Sequence, residues 1–396
     1  MRLAWRPLDL VTRHEFATAR GGIRAKQTLL VELEHDGVTG RGEAVPSALY
    51  RQTLDSAAAA LAEISDELAR RVAGGEDPLA TGALVDPLLQ QHDGQRAAVA
   101  AIDSALHDWA GRRLGVPTWR MLGLRRPRAA TSFTIGAADI DTVRLKVDEA
   151  LAAGCRLLKV KVGVENDEQV LATIRERFPG PLLLDANEAW PAAVAGGRMR
   201  ALARFAPALI EQPLPREEWQ ALGELRRLGV APIYADESCE RPADVVRLAG
   251  LVDGVNIKLN KCGGLREALR MVHLARGLGL GVMIGCFVSS SLAIAAPLML
   301  VDLLDYADLD GHLLLAEDPC QGLELREGLV IGSEAPGLGV APTQPLGHPL
   351  GPGRRRHRHH PVGVQHDGRV VERHPGRHHR PVGHHRHQRP DRKVVR

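Results

Sequence analysis

The sequence predicts an α/β fold, a (β/α)8 (TIM-type) barrel, with an α+β unit ahead of it and a disordered basic tail behind it. Three observations carry this. Short apolar runs end in isolated charged residues at a nearly constant beat: Lys161, Asp185, Glu211, Asp236 and Lys258 follow one another at 24, 26, 25 and 22 residues. A strand, a loop, a helix and a return loop take about that many residues, and successive βα units close into a barrel. The first 120 residues lack the beat and read as a hairpin followed by alanine-rich helices. Near Leu346 the vocabulary changes abruptly to Arg, His, Pro, Gly and Val.

The elements follow in order. Gln27–Glu34, the turn His35-Asp-Gly37 and the return Val38–Ala44 read as a β-hairpin. Gln52–Val72 and Gln95–Leu114 carry apolar residues at helical spacing, and Gly115-Val-Pro117 ends the second helix. Residues 1–120 thus form one α+β unit, which short mixed segments over about 313–345 are expected to complete. The barrel is expected over 125–312. Its first strand is Ala129–Gly136, and the beat runs on through Gly285 to Asp308. Val282–Val301 has no charged residue for twenty positions, long enough to span a bilayer. It holds Gly285, Ser289–Ser291 and Pro297 where the seventh strand and helix are due, so a buried strand and helix are expected instead.

Composition narrows the function classes. The chain has 396 residues, enough for a barrel and a second unit, and 44% hydrophobic content against 3% aromatic implies an aliphatic core. Five scattered cysteines form no Cys-x-x-Cys pair, which fits a reducing cytoplasm better than a disulfide framework. The first residues are interrupted by charge too often for a signal peptide. The net charge of +3 hides two unlike parts: from Gly351 onward 13 lysines and arginines face 3 acids, so the tail is basic and the rest mildly acidic. Eleven of seventeen histidines lie from His348 onward, a stretch that holds no Phe, Trp or Tyr. Such a segment, 346–396, cannot bury enough apolar area to fold. It reads as the product of a shifted reading frame or as a His/Arg arm for nucleic acid or metal.

The strand-end residues point to a chemistry. An acid after one apolar run is ordinarily a helix cap or a solvated loop residue. A series of strand ends in register, carrying acids and lysines, converges on one barrel mouth. Asp185, Glu211 and Asp236, without His or Cys, make a hard oxygen site that suits Mg²⁺ and not zinc. A substrate carboxylate on that metal would let a base take the neighbouring α-proton, the metal stabilising the enediolate. Lys161 and Lys258 lie on opposite sides of the metal-bearing strands, so their amines would face each other across the substrate. A neutral lysine is needed, and Lys159, two residues from Lys161 on the same strand face, supplies a cation that disfavours the ammonium. Two opposed bases allow racemisation or epimerisation; one base with an acid would suit elimination.

From Met1 to about Pro345 the chain resembles the enolase superfamily in its muconate-lactonising subgroup. The resemblance rests on Lys159-Val-Lys161, Asp185-Ala-Asn187, Glu211-Gln-Pro213, Asp236-Glu-Ser238 and Lys258-Leu-Asn-Lys261-Cys-Gly-Gly264, in order and spacing. It implies a capping domain over a barrel, Mg²⁺ on the three acids, and Lys161 and Lys258 as acid/base residues. Within the subgroup the chain looks most like the dipeptide epimerases of the L-Ala-D/L-Glu type. That family's Asp-x-Asp pair, here Asp308-Leu-Asp310, holds the dipeptide ammonium. Arg20 falls where the family sets an arginine against the glutamate side chain, with Arg24 nearby. Thr134, Lys159, Cys286 and Val288 match substrate-lining positions. Ser289 departs from the Glu that many relatives carry.

The resemblance implies a cytoplasmic isomerase acting on a small dipeptide, suited to peptides released from murein, with no membrane partner. It leaves a homo-oligomer open. The alternatives are o-succinylbenzoate synthase or N-succinylamino acid racemase, which would have no use for Asp308 and Asp310 as an ammonium clamp. A more distant one is a nucleic-acid-binding protein acting through its tail.

Overall fold

Two long strands, β1 (Arg2–Thr18) and β2 (Gly21–His35), pair antiparallel, and β3 (Val38–Ala44) adds to β2. The computed structural model describes residues 1–18 and 20–344; the tail expected over 346–396 lies outside the described residues. Between β2 and β3 the turn residues Asp36 and Gly37 both have positive φ, 50° and 73°, as a two-residue hairpin of matching twist requires. Helix α1 (Leu54–Ala73) starts with a capping box: the Thr53 hydroxyl accepts the Ser56 N–H, and the Ser56 hydroxyl accepts the Thr53 N–H. It and α2 (Thr81–Gln91) pack with α3 (Arg96–Leu114) around a core of Leu29, Val31, Leu61, Ile64 and Ile102.

Helix α3 is buried along almost its whole length. Its alanines allow the sheet to come close: a Cβ at Gly40 or Gly42 would stand 2.1 Å from the carbonyl oxygen of Ala105 or Ala101. Its other side meets the barrel, where Asp103 accepts the N–H groups of Leu265 and Arg266.

After β4 (Arg128–Ala130), eight parallel strands run in sequence order. They are β5 (Phe133–Ile135), β6 (Leu158–Lys161), β7 (Leu182–Asp185), β8 (Leu209–Glu211), β9 (Ile233–Ala235), β10 (Gly254–Ile257), β11 (Gly281–Gly285) and β12 (Tyr306–Asp308). The ring closes where Thr131 bridges Ala307 and the Ser132 N–H donates to the Ala307 carbonyl at 2.9 Å. A helix follows each of β5–β11; the twenty-residue uncharged run is β11 followed by Ser291–Leu298. Among the described residues no helix is long and apolar enough to cross a membrane.

One difference from the sequence reading stands out. The first strand expected over 129–136 is split: β4 pairs antiparallel with β15 (Leu329–Ile331), and only β5 enters the barrel. After β12 the chain forms short strands, β13 (Cys320–Gln321), β14 (Glu324–Arg326), β15 and β16 (Ala341–Pro342), where a helix would complete the last unit. This stretch returns to the N-terminal elements, as Leu338 N–H donates to Asp108 on α3 and Ala316 N–H to the Val11 carbonyl on β1.

Period-two alternation sorts the strand residues. Leu158, Val160, Leu184 and Ile210 point outward to the helices. Leu157, Leu183, Leu209, Tyr234 and Met283 fill the lumen at the N-terminal end. Gly254 and Gly281 leave room for Tyr234: a Cβ at Gly254 would stand 2.4 Å from its ring, and one at Gly281 2.1 Å from its hydroxyl. One step further along the same strands the inward positions are Lys159, Lys161, Asp185, Glu211, Asp236 and Lys258.

Candidate active site

The strand register brings the charged layer together. Thr134 pairs with Lys159, Lys161 with Asp185, Asp185 with Glu211, and Gly285 with Asp308. Lys161 Nζ donates to Asp185 Oδ2 at 2.6 Å, and Lys258 Nζ to Asp236 Oδ2 at 2.7 Å. Strands β6 and β10 lie across the barrel from each other, so the two lysines approach the mouth from opposite walls. Each ammonium stands over an aromatic ring, Lys161 5.8 Å from the Phe16 centroid and Lys258 5.2 Å from that of Phe287.

Lys159 sits lower, 3.1 Å from Asp185 Oδ2, 2.7 Å from Glu211 Oε2 and 2.8 Å from Asp308 Oδ2. It therefore shares an oxygen with Lys161, as the same-face reading expects. Burial opposes its charge, but the carboxylates of Asp185, Asp308 and Glu211 outweigh that and hold its pKa well above the ordinary lysine value. Lys258 is raised for the same reason, burial being outweighed chiefly by Asp236. In the protein alone this carboxylate attraction, and not the Lys159 cation, dominates the electrostatics of Lys258.

The carboxylates respond unequally. Burial works against ionising Asp185 and Asp236, yet Lys159 and Lys161 hold the first below the usual range, and Lys258 and Lys261 the second. Glu211 goes the other way: burial and the Asp185 charge push its carboxyl up. Its Oε1 accepts from Asn256 Nδ2 at 2.8 Å, while its buried Oε2 has no aligned hydrogen-bond donor. Among the described residues no three acids, histidines or cysteines are drawn around one point as metal ligands would be. Lysine ammoniums stand between these carboxylates.

The residues singled out from sequence line a cavity of about 490 Å³ between the hairpin tip and the barrel mouth. Lys159, Lys161, Asp236 and Lys258 lie on one side of its floor. Thr134, Cys286, Val288, Asp308 and Asp310 form the other. Asp185 and Glu211 are fully buried just beneath. Asp310 Oδ2 accepts the Thr134 N–H at 2.7 Å, and burial together with Asp308 pushes its carboxyl up. Asp308 is held down by Lys159 against its burial, and also accepts from Ser132 Oγ at 2.5 Å. Arg20 reaches the cavity from the hairpin tip; its guanidinium donates to Glu188 at 2.8 Å and Glu237 at 2.7 Å. Arg24 does not line the cavity.

Several groups were not anticipated. Asn256 is two residues before Lys258 on one strand face, a spacing that could have marked it. Lys261 donates to Asp236 Oδ1 at 2.5 Å and to the Asn256 carbonyl at 3.0 Å, fastening the β9 and β10 ends together. Phe287 lies between Cys286 and Val288, two positions already singled out, whereas Lys26 and Phe16 were not marked.

Comparison with known proteins agrees with this geometry. The pattern described as "Enolase C-terminal domain-like" matches residues 142–345, and "Mandelate racemase / muconate lactonizing enzyme, N-terminal domain" matches 6–123. The chain is 37% identical to the L-Ala-D/L-Glu epimerase of Bacteroides thetaiotaomicron over 86% of this chain and 88% of that protein. It is 36% identical to the hydrophobic dipeptide epimerase of Roseobacter litoralis over 86% and 98%. A crystal structure of the dipeptide epimerase of Enterococcus faecalis, complexed with Mg and the dipeptide L-Leu-L-Tyr, superposes with a TM-score of 0.81 at 30% identity, covering 86% of this chain and 99% of that one. The chain belongs to the enolase superfamily, in the mandelate racemase/muconate lactonizing enzyme group, and within that group to the dipeptide epimerases.

Proposed function

We propose that the protein epimerises dipeptides at the α-carbon of the C-terminal residue, with L-Ala-L-Glu or L-Ala-D-Glu as leading substrate. The observation that carries this is the pair of lysines on opposite walls of one cavity, each hydrogen-bonded to a buried carboxylate and each set against an aromatic ring. A turnover begins with one lysine as amine and the other as ammonium. The amine takes the α-proton from one face, and the bond's electrons move into the substrate carboxylate. The ammonium opposite returns a proton to the other face, so the two lysines end with their states exchanged. By the division of labour in the family, Lys161 serves the (R) centre and Lys258 the (S) centre. Phe16 and Phe287 keep water from the two nitrogens.

The donor set present, three buried carboxylates without His or Cys, has the chemistry that suits a Mg²⁺ ion. Asp185, Glu211 and Asp236 are buried carboxylates at the ends of consecutive strands, and Glu211 has a carboxyl that burial and the Asp185 charge push up, its Oε2 met by the Lys159 ammonium at 2.7 Å. These three would hold the metal, whose charge would stabilise the electrons arriving on the substrate carboxylate. Asp308 and Asp310 serve the other end of the substrate. Asp310 has no cationic partner among the described residues, so a dipeptide ammonium would relieve the burial and repulsion that raise its pKa. Cys286, Val288 and Thr134 line the space between. N-acylated amino acids, the substrates of the racemase alternative, bring no cation to that pair. We place the enzyme in the cytoplasm, where murein-derived dipeptides would reach it. Incubating the protein with Mg²⁺ and a panel of L-Ala-L-Xaa dipeptides in D₂O tests the reading: α-deuterium incorporation with inversion is expected. Faster exchange on N-acylated amino acids than on free dipeptides would overturn it.

A further inference from the structure

The cavity holds two cations from the capping hairpin, and they stand in different states. Arg20 is committed: both arms of its guanidinium are bound, one by Glu188 at 2.8 Å and the other by Glu237 at 2.7 Å, with the Asn187 carbonyl at 3.3 Å. Glu188 is itself fixed by Arg216 at 2.9 Å. Each of these carboxylates belongs to a barrel loop, so Arg20 ties the hairpin tip down to the barrel. Lys26 is the opposite case. Half-buried on β2, it lines the same cavity, and among the described residues its Nζ makes no hydrogen bond and has no carboxylate within 4.0 Å. Its nitrogen lies over the Phe287 ring, 5.1 Å from the centroid.

The same ring lies 5.2 Å below Lys258 Nζ, so the two ammoniums are at most about 10 Å apart, around one side chain. A substrate side chain that extends from beside Lys258 along the Phe287 ring reaches Lys26, since both line the one cavity. Burial there lowers the Lys26 pKa to about 8, the expected response of a cation removed from water without a counter-charge; nearby Glu43 offsets this in part. A carboxylate on the occupant would supply the missing partner.

We propose that Lys26, and not Arg20, receives the side-chain carboxylate of the residue being epimerised, while Arg20 fastens the hairpin over the mouth. This deepens the dipeptide epimerase reading and rests on it. It makes Lys26 the residue that sets preference between acidic and apolar C-terminal residues.

The test compares α-deuterium exchange on L-Ala-L-Glu and L-Ala-L-Leu for the wild type, Lys26→Met, Lys26→Arg and Arg20→Met, all as the full chain with Mg²⁺. Lys26→Met is expected to lower kcat/KM for L-Ala-L-Glu at least tenfold and to leave L-Ala-L-Leu within threefold. Lys26→Arg should restore most of the preference for the acidic substrate. Arg20→Met should slow both substrates by similar factors. Equal loss on both substrates in Lys26→Met, or a selective loss of L-Ala-L-Glu in Arg20→Met, would overturn the assignment while leaving the reaction in place. No exchange on either dipeptide by the wild type would overturn the epimerase reading and the assignment together.

Discussion

Asp310→Asn isolates the ammonium end of the site. The substitution keeps the shape of the side chain, and an amide oxygen can still accept the Thr134 N–H that Asp310 Oδ2 takes at 2.7 Å. The barrel wall should stand, so the change removes one charge and little else. A hydrogen bond to a charged group is worth about 1.5–3 kcal/mol, which corresponds to roughly 10- to 150-fold in kcat/KM for a free dipeptide. Loss through the folded state alone would not depend on the substrate's N-terminus. The assay is therefore a double cycle: wild type and Asp310→Asn, each with L-Ala-L-Glu and its N-acetyl derivative, followed by α-deuterium exchange. The wild type should favour the free dipeptide by at least roughly tenfold, and the variant should lose most of that preference, a coupling of about 1.4 kcal/mol or more. A preference that survives in Asp310→Asn, or is missing from the wild type, would refute the clamp.

Three further outcomes are expected. Lys161→Ala and Lys258→Ala should each stop epimerisation, while each keeps α-proton exchange on one stereoisomer; equal loss of exchange on both isomers in either variant would count against two bases. Asp185→Asn should abolish turnover and weaken Mg²⁺ binding measured by calorimetry, with the circular dichroism spectrum retained; activity that persists in EDTA would remove the metal from the reaction. Glu43, buried beside Ser290, has its carboxyl raised by burial from an ordinary 4.5 to about 7. A raised acid contributes stability that is fully present below its unfolded pKa and is lost as pH climbs through the folded one, here between about pH 4.5 and 7. Glu43→Gln should flatten the fall in unfolding free energy across that window, measured by denaturant titration at each pH, by an amount on the order of 3 kcal/mol at most; an unchanged slope would mean that other groups set it.

Much of the mouth was legible because it follows from local rules. Once the beat identifies strands, period two fixes which residues turn inward, and Lys159, Lys161, Asp185 and Glu211 need no tertiary information beyond that. What escaped depends on long-range pairing. Whether Arg128–Ala130 joins the barrel or a separate sheet is decided by β15, about two hundred residues later. The state of Arg20 is set by Glu188 and Glu237, which only the docked hairpin brings near. Lys26 looks like any lysine on a surface hairpin until Phe287 is placed under it.

The burial of α3 has a consequence for how the protein comes apart. The helix is covered on one side by β2 and β3 and on the other by the barrel residues around Leu259–Leu265, and its Asp103 completes the start of the helix Leu265–Gly277. A chain cut near residue 120 would leave the barrel with uncapped N–H groups and an apolar flank facing water, and the hairpin layer with a helix exposed along its outer face. Neither piece is self-sufficient, so residues 1–344 should melt in one cooperative transition, and damage to the hairpin layer should register as loss of the barrel as well.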